Sequence, residues 1–229
     1  MRRDIEQAAL DGLVLAGVPS PTLAAMLLRN RTPVVALGAV PAALPYHVAI
    51  DYRGHMQQAV AAFQQAGVAS AGLLVGRMHP AIRYRDFFYA ACGETGLRTQ
   101  RDWVRVLPEL TTEGGYAHAR ALLDGADRPN AVLVADDVAA RGALKAVQEM
   151  GLAVPDELKI IARSNRGGAP FDFPMSVTRL ETDPMQMIGL AADMLVALMS
   201  GDPPPRCTER VAAVLVPGDT CPCPEVSGL

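Results

Sequence analysis

The stretch from Asn130 to Asn165 constrains the fold of this chain most, because two short apolar runs flank an amphipathic segment. Ala131-Val132-Leu133-Val134-Ala135 is too short for a helix and too uniformly apolar for a strand with one wet face. It suits a parallel strand covered on both sides. Asp136 and Asp137 stand at its carboxyl end. From Val138 to Met150, the residues Ala140, Leu144 and Val147 recur at helical spacing, and Gly151 with Pro155 beyond it stops the helix. Leu158 to Ala162 reads as the next strand, with Arg163-Ser164-Asn165 as its polar exit. Open α/β sheets take ligands in the crevice outside the carboxyl ends of their strands, so both exits point at one candidate pocket.

The same alternation runs through the chain and favours parallel sheets covered by helices. Strands are expected at Leu13–Ala16, Val34–Leu37, Gly72–Val75, Val104–Leu107, Ser176–Leu180 and Val211–Val216. Helices are expected at Thr22–Asn30, from Met56 through Phe63 up to Gly67, at Ile82–Cys92, and at Tyr116–Leu123 with Gly114-Gly115 marking its start. Another carries Ile188, Ala191, Leu195 and Leu198 on one face and ends at Gly201 and Pro203-Pro204-Pro205. The tail after Pro217 reads as loose.

With 229 residues, half of them apolar, the chain can bury a sizeable core as one large or two smaller units. A net charge of −3 with scattered Lys and Arg leaves no electrostatic footprint for nucleic acid. No run reaches membrane-spanning length, and Met1 to Gln7 is charged rather than a secretory signal, so a cytoplasmic location is expected. Cys92, Cys207, Cys221 and Cys223 lack metal-ligand spacing and read as reduced thiols. His47, His55, His79 and His118 are dispersed, with no ligand set or serine relay among them. There is no phosphate loop, dinucleotide fingerprint, nucleophile elbow or zinc-protease motif; neither an enzyme nor a bound cofactor is expected.

The run "RPNAVLVADDVAARGALKAVQEMGLAVPDELKIIARSN" resembles the ligand-binding core of lactose-repressor and galactose-repressor type transcription regulators, which share the type I periplasmic-binding-protein fold. "DGLVLAG", "TPVVALG", "VAIDYRGHMQQAVAAFQQAG", "RYRDFFYAACGETGL" and "SVTRLETDPMQMIGLAADMLVALMSG" are similar to further family segments, in the family's order. The resemblance implies a two-lobed α/β fold. Residues 1–50 with 183–216 would form the first lobe, and 51–182 with 217–229 the second. It also implies a ligand cleft between the lobes and a chain that begins short of the family's opening strands. The first lobe would then be incomplete, with an unpaired strand edge prone to dimerise or swap.

Carried over by position, the family's ligand residues fall on Asp136, on Arg83 or Arg85, on Ser164 and on Gly38. Asp136 stands where the family has asparagine; it can accept ligand hydrogen bonds or cap the following helix, and both readings stay open. Asp137 reads as a cap alone. A guanidinium at Arg83 or Arg85 could grip hydroxyls or a carboxylate, or sit on a solvated helix face. Ser164 and Gly38 replace family aspartates, which weakens a sugar reading. Arg163 adds positive charge beside Ser164 and opens an anionic effector as an alternative. Asp51 reads as a cap or hinge residue.

The segment "LAGVPSPTLAAMLLRNRTP" mimics the family's helix-turn-helix, yet its reading positions, Leu23 to Leu28, carry nothing that could hydrogen-bond base edges. A covering helix is expected there, and no direct DNA contact. The whole points to an effector-binding domain, expected as a homodimer, for a sugar, nucleoside or organic acid. The alternatives are a sugar-type uptake protein or a degenerate, non-binding fragment.

Overall fold

The computed structural model describes residues 10–17, 19–38, 44–77 and 83–222. In chain order the elements are β1 (Leu13–Ala16), α1 (Pro21–Arg29), β2 (Val34–Leu37), β3 (Tyr46–Ile50), α2 (Tyr52–Gln65), β4 (Ala71–Gly76) and α3 (Tyr84–Thr95). A short 3-10 turn at Arg101–Trp103 leads into β5 (Val104–Leu107), α4 (Thr112–Leu123), β6 (Ala131–Val134), α5 (Asp137–Glu149) and β7 (Lys159–Asn165). They are followed by β8 (Thr178–Thr182), α6 (Pro184–Met199), β9 (Thr208–Val211) and β10 (Val214–Val216). The expected α/β class, with parallel sheets and covering helices, is what forms. His79, Ile82 and Cys223 lie outside the described residues.

The chain divides into two compact units, residues 1–51, 79–82 and 183–212 in one and 52–78, 83–182 and 213–229 in the other. The smaller unit holds a four-stranded, wholly parallel sheet in the order β1-β2-β3-β9. Helix α1 opens on Ser20, whose hydroxyl accepts from the Leu23 N–H at 3.2 Å, and on Pro21, whose missing N–H costs nothing in the first turn. Its Met26 and Leu27 are buried against Val34, Ala36 and Leu44. It is thus a sheet-covering helix, as the sequence led us to expect, and β1 forms one edge of the described sheet.

In the larger unit the order is β10-β8-β7-β6-β4-β5, parallel throughout except for the antiparallel β10. Leu74, Val134 and Ala162 stand side by side in register, as do Leu73, Leu133 and Ile161 one residue earlier. Successive side chains alternate faces, so these two rows belong to opposite sides of the sheet. The first row packs with Leu122, Ala143, Leu144 and Val147 of α4 and α5 in one core cluster. The second row faces α2 and α3, whose Met56, Val60, Phe63 and Phe88 are fully buried or nearly so. Each such side chain taken from water contributes about 1.5–3 kcal/mol before the entropy of ordering it is counted.

Four expectations need correction. Gly114 and Gly115 do not mark the start of α4; they lie inside it, and Thr111 caps it by accepting from the Gly114 N–H at 3.0 Å. Val211–Val216 is not one strand: β9 ends at Val211 in the smaller sheet, and β10 pairs with β8 in the larger one. That moves residues 214–216 out of the unit to which the sequence assigned them. Of the tail after Pro217, the described part, residues 218–222, is not loose either, and residues 223–229 lie outside the described residues. Thr220 and Cys221 are fully buried. The Thr220 hydroxyl donates to the Ile160 carbonyl at 2.8 Å and accepts from the Thr178 N–H at 2.9 Å, which fastens the segment to β7 and β8. Finally, Arg163-Ser164-Asn165 is not an exit from β7 but its last three residues. Strand β3 was not expected, because Tyr46 and His47 at its start break the uniformly apolar run that marks β2.

Candidate ligand-binding site

At the carboxyl ends of the larger sheet's strands, three elements present polar groups. Strand β7 pairs with β8 so that Arg163 lies beside Leu180 and Asn165 beside Thr182. Arg163, Asn165 and Thr182 therefore share the face covered by α2 and α3. The placement agrees with two contacts. The Arg163 Nη2 group donates to Asn165 Oδ1 at 3.2 Å, and the Thr182 hydroxyl lies 3.4 Å from Nε2 of His55, a buried α2 residue. Ser164 falls on the opposite face with Glu181. Arg163 and Ser164, expected together at one pocket mouth, thus point to different sides of the sheet. Ser164 is buried, and its hydroxyl has no hydrogen-bond partner among the described residues.

Above Arg163 stand two tyrosines that the sequence reading passed over. Tyr52 opens α2 and Tyr84 opens α3; their rings are 4.6 Å apart at 52°. Tyr84 is buried and Tyr52 half-buried. Burial raises both hydroxyls above the usual phenol value, Tyr84 by far the more, against the pull of the Arg163 guanidinium; for Tyr84 the Tyr52 hydroxyl and the Asp136 carboxylate push the same way as burial. Both therefore stay protonated and able to donate. The signal that could have found them is positional: each opens a helix that leads into a parallel strand of the larger sheet, β4 or β5, so the helix start lies at that sheet's carboxyl edge.

Asp136 resolves toward the helix cap. One oxygen, Oδ1, accepts from the Val138 N–H at 2.9 Å and the Ala139 N–H at 3.0 Å. Such a cap stabilises a helix start by about 1 kcal/mol. Its Oδ2 has no hydrogen bond among the described residues, so the cap and a ligand contact are compatible. Asp137, expected as a cap, is instead the first helical residue, where its charge favours the positive end of the helix dipole. Behind the cap, Arg141 donates to the Ala169 and Pro170 carbonyls at 2.9 and 3.0 Å and lies over the Phe171 ring. This pins the segment after β7 against α5.

The other candidates lie elsewhere. Arg83 precedes α3 with its side chain 67% exposed and donates to Asp86 at 2.7 Å, a helix-surface ion pair. Arg85 is exposed on the same helix. The buried residue between them, Tyr84, is the one near enough to feel the charges of Arg163 and Asp136. Gly38 follows β2 in the smaller unit with φ +93 and donates its N–H to the Val48 carbonyl at 2.9 Å. A left-handed residue there favours glycine, which gives Gly38 a backbone reason of its own. Asp51 donates its N–H to the Val211 carbonyl at 2.9 Å. Burial pushes the Cys92 thiol up to about 12, so it is inert, whereas Cys207 is exposed. Among the described residues no group of His, Cys, Asp and Glu is placed to hold a metal ion, and no helix is long and apolar enough to cross a membrane.

Comparison with known proteins agrees with this architecture. Residues 60–221 match the profile of the periplasmic binding protein-like domain family. The HTH-type transcriptional repressor PurR of Edwardsiella ictaluri is 31% identical over 109 residues, which are 48% of this chain and 31% of that protein. The lactose operon repressor of Rhizobium radiobacter is 36% identical over 91 residues, 39% of this chain and 78% of that sequence. Among solved structures, a regulatory protein of the LacI family from Chloroflexus aggregans matches with a TM-score of 0.81 at 24% identity, over 96% of this chain and 79% of that one. The chain belongs to the periplasmic binding protein-like domain family. Within it, the chain groups with lactose-repressor-type transcription regulators; it spans only 31% of the length of the PurR relative.

Proposed function

We propose that this chain is the small-molecule effector-binding domain of a lactose-repressor-type regulator, and that Arg163, Asp136, Tyr52 and Tyr84 contact the effector. The supporting observation is their convergence at the carboxyl edge of a parallel sheet, where open α/β folds take ligands. Arg163 offers a guanidinium, Asp136 a carboxylate oxygen, and the tyrosines two hydroxyls on an aromatic wall. That mixture suits a small polar molecule: a sugar, a nucleoside or an organic acid. Helix α1 packs Met26 and Leu27 against the sheet, which supports a covering role for it over a DNA-reading one. Effector occupancy is read by whatever part of the regulator contacts DNA, through unequal affinity for two states of the protein, and the working unit is a homodimer.

Thermal unfolding of the whole chain against a panel of sugars, nucleosides and organic acids tests this reading. A ligand that binds only the folded state adds about 2.7 kcal/mol at a hundredfold excess over its Kd, a readily visible rise in Tm. Cooperative unfolding with no compound raising Tm, together with a monomer by light scattering, would overturn it.

A further inference from the structure

The site is not neutral in its demands. On the Arg163 side, the guanidinium has one hydrogen bond, from Nη2 to the uncharged Asn165 amide oxygen. Its Nε is buried and has no acceptor among the described residues. A buried donor without an acceptor costs free energy, and an acceptor that reaches it removes that cost. The carboxylate near this cluster, Asp136, spends one oxygen on two backbone N–H groups. Glu181, the next acidic residue along the sheet, alternates to the opposite face, where Arg179 Nε donates to it at 2.8 Å. Among the described residues, the groups placed on Arg163's own face, Asn165, Thr182, His55, Tyr52 and Tyr84, bring no negative charge.

We infer that the effector is a small organic anion whose carboxylate is held side-on by the Arg163 guanidinium, with the rest of the molecule lying against the Tyr52 ring. This rests on the effector-binding reading and narrows it. The Nε and Nη2 hydrogens of an arginine form a planar fork that matches the two oxygens of a carboxylate, and such charge-assisted pairs are roughly twice as strong as neutral hydrogen bonds. Tyr52 is half-buried and backed by Tyr84, so it presents an aromatic face and an O–H that donates to the anion or to a hydroxyl beside it. The free Asp136 oxygen accepts from a ligand hydroxyl and repels a second carboxylate. Hydroxy-monocarboxylates and aryl carboxylates fit this set better than dicarboxylates or neutral sugars.

The test uses the whole chain and matched probes: gluconate against glucose, 4-hydroxybenzoate against 4-hydroxybenzamide, and succinate as the dicarboxylate. Binding is read by thermal shift and by calorimetric titration, in the wild type and in Arg163→Gln. A carboxylate should raise Tm where its neutral counterpart does not, and Arg163→Gln should weaken that carboxylate about ten- to a hundredfold. The variant itself should fold with an unchanged or higher Tm, since it removes a buried, unsatisfied donor. If glucose, the benzamide or a nucleoside binds at least as well as any acid, and Arg163→Gln leaves that affinity intact, the anion inference falls while effector binding stands. If neither charged nor neutral probes nor nucleosides bind the folded chain, both fall.

Discussion

Replacing Gly142 by alanine puts the sharpest demand on the packing described above. Gly142 lies in α5 where that helix meets α4, and a Cβ built on it would sit 1.8 Å from the Thr112 carbonyl oxygen, 2.6 Å from the Tyr116 nitrogen and 2.8 Å from the Thr112 carbonyl carbon. All three are backbone atoms, so no side chain can rotate away. The helices must part by more than about 1 Å to reach ordinary contact, and that movement loosens a close-packed core. Ala119, Leu122 and Leu123 on α4 and Ala139, Ala143 and Ala146 on α5 all belong to that core.

Overpacking of this kind costs about 1–3 kcal/mol and more where backbone must move, while alanine returns about 1 kcal/mol in helix propensity. A net loss of about 2 kcal/mol or more is expected for Gly142→Ala. At about 2–4 °C per kcal/mol, Tm falls by about 4–8 °C or further. Gly93 provides the control: it is helical and exposed in α3, and a Cβ there meets nothing within 4 Å. Gly93→Ala should gain up to about 1 kcal/mol by propensity alone. Urea unfolding followed by circular dichroism measures both. A Gly142→Ala protein as stable as Gly93→Ala would refute the close approach of α4 and α5.

Two further outcomes follow from single side chains. Asp136→Ala removes the cap of α5 and should cost about 1 kcal/mol, whereas Asp136→Asn, which accepts the same two N–H bonds, should unfold within a few tenths of a kcal/mol of wild type; equal losses for both would discard the cap. Burial, with the Arg210 charge second, lowers the pKa of His47 in the smaller unit, against a backbone hydrogen bond at Pro45 that raises it. The unfolded chain then binds the proton more tightly. This contribution to stability is therefore present above the unfolded value of about 6.5 and declines as pH falls below it, toward the lower folded pKa. Denaturation midpoints of wild type and His47→Gln at about pH 7.5 and 5.5 check this: the wild type should lose more stability on acidification than the variant.

Much of the fold is legible in the chain because burial on both faces leaves a local record. Apolar runs such as Ala131–Val134 and Val34–Leu37 can be little other than interior parallel strands, and the i, i+4, i+7 pattern of α5 marks the helix between two of them. Strand-end polarity likewise drew attention to Asp136 and Arg163. Where the reading went astray, one residue type had two physical uses. Gly114-Gly115 carries the same letters as a turn, yet Gly115 is small because Ala139 of a neighbouring helix crosses it; its added Cβ would lie 2.1 Å from that carbonyl oxygen. Thr220 and Cys221 look like a polar tail until Thr178 and Ile160 supply partners for them.

What the sequence determined by itself, then, was the alternation of strands and helices, the parallel character of the sheets and the polar strand ends, since each follows from hydrophobic period and length along a single segment. Tertiary structure decided which face each polar residue serves. Arg163 and Ser164 are neighbours in the chain but stand on opposite sides of the sheet, while Tyr52, Tyr84, Asp136 and Arg163 come from four separate elements. Only strand register and helix placement can bring such residues together, because both depend on which segments pair and not on any residue's immediate neighbours.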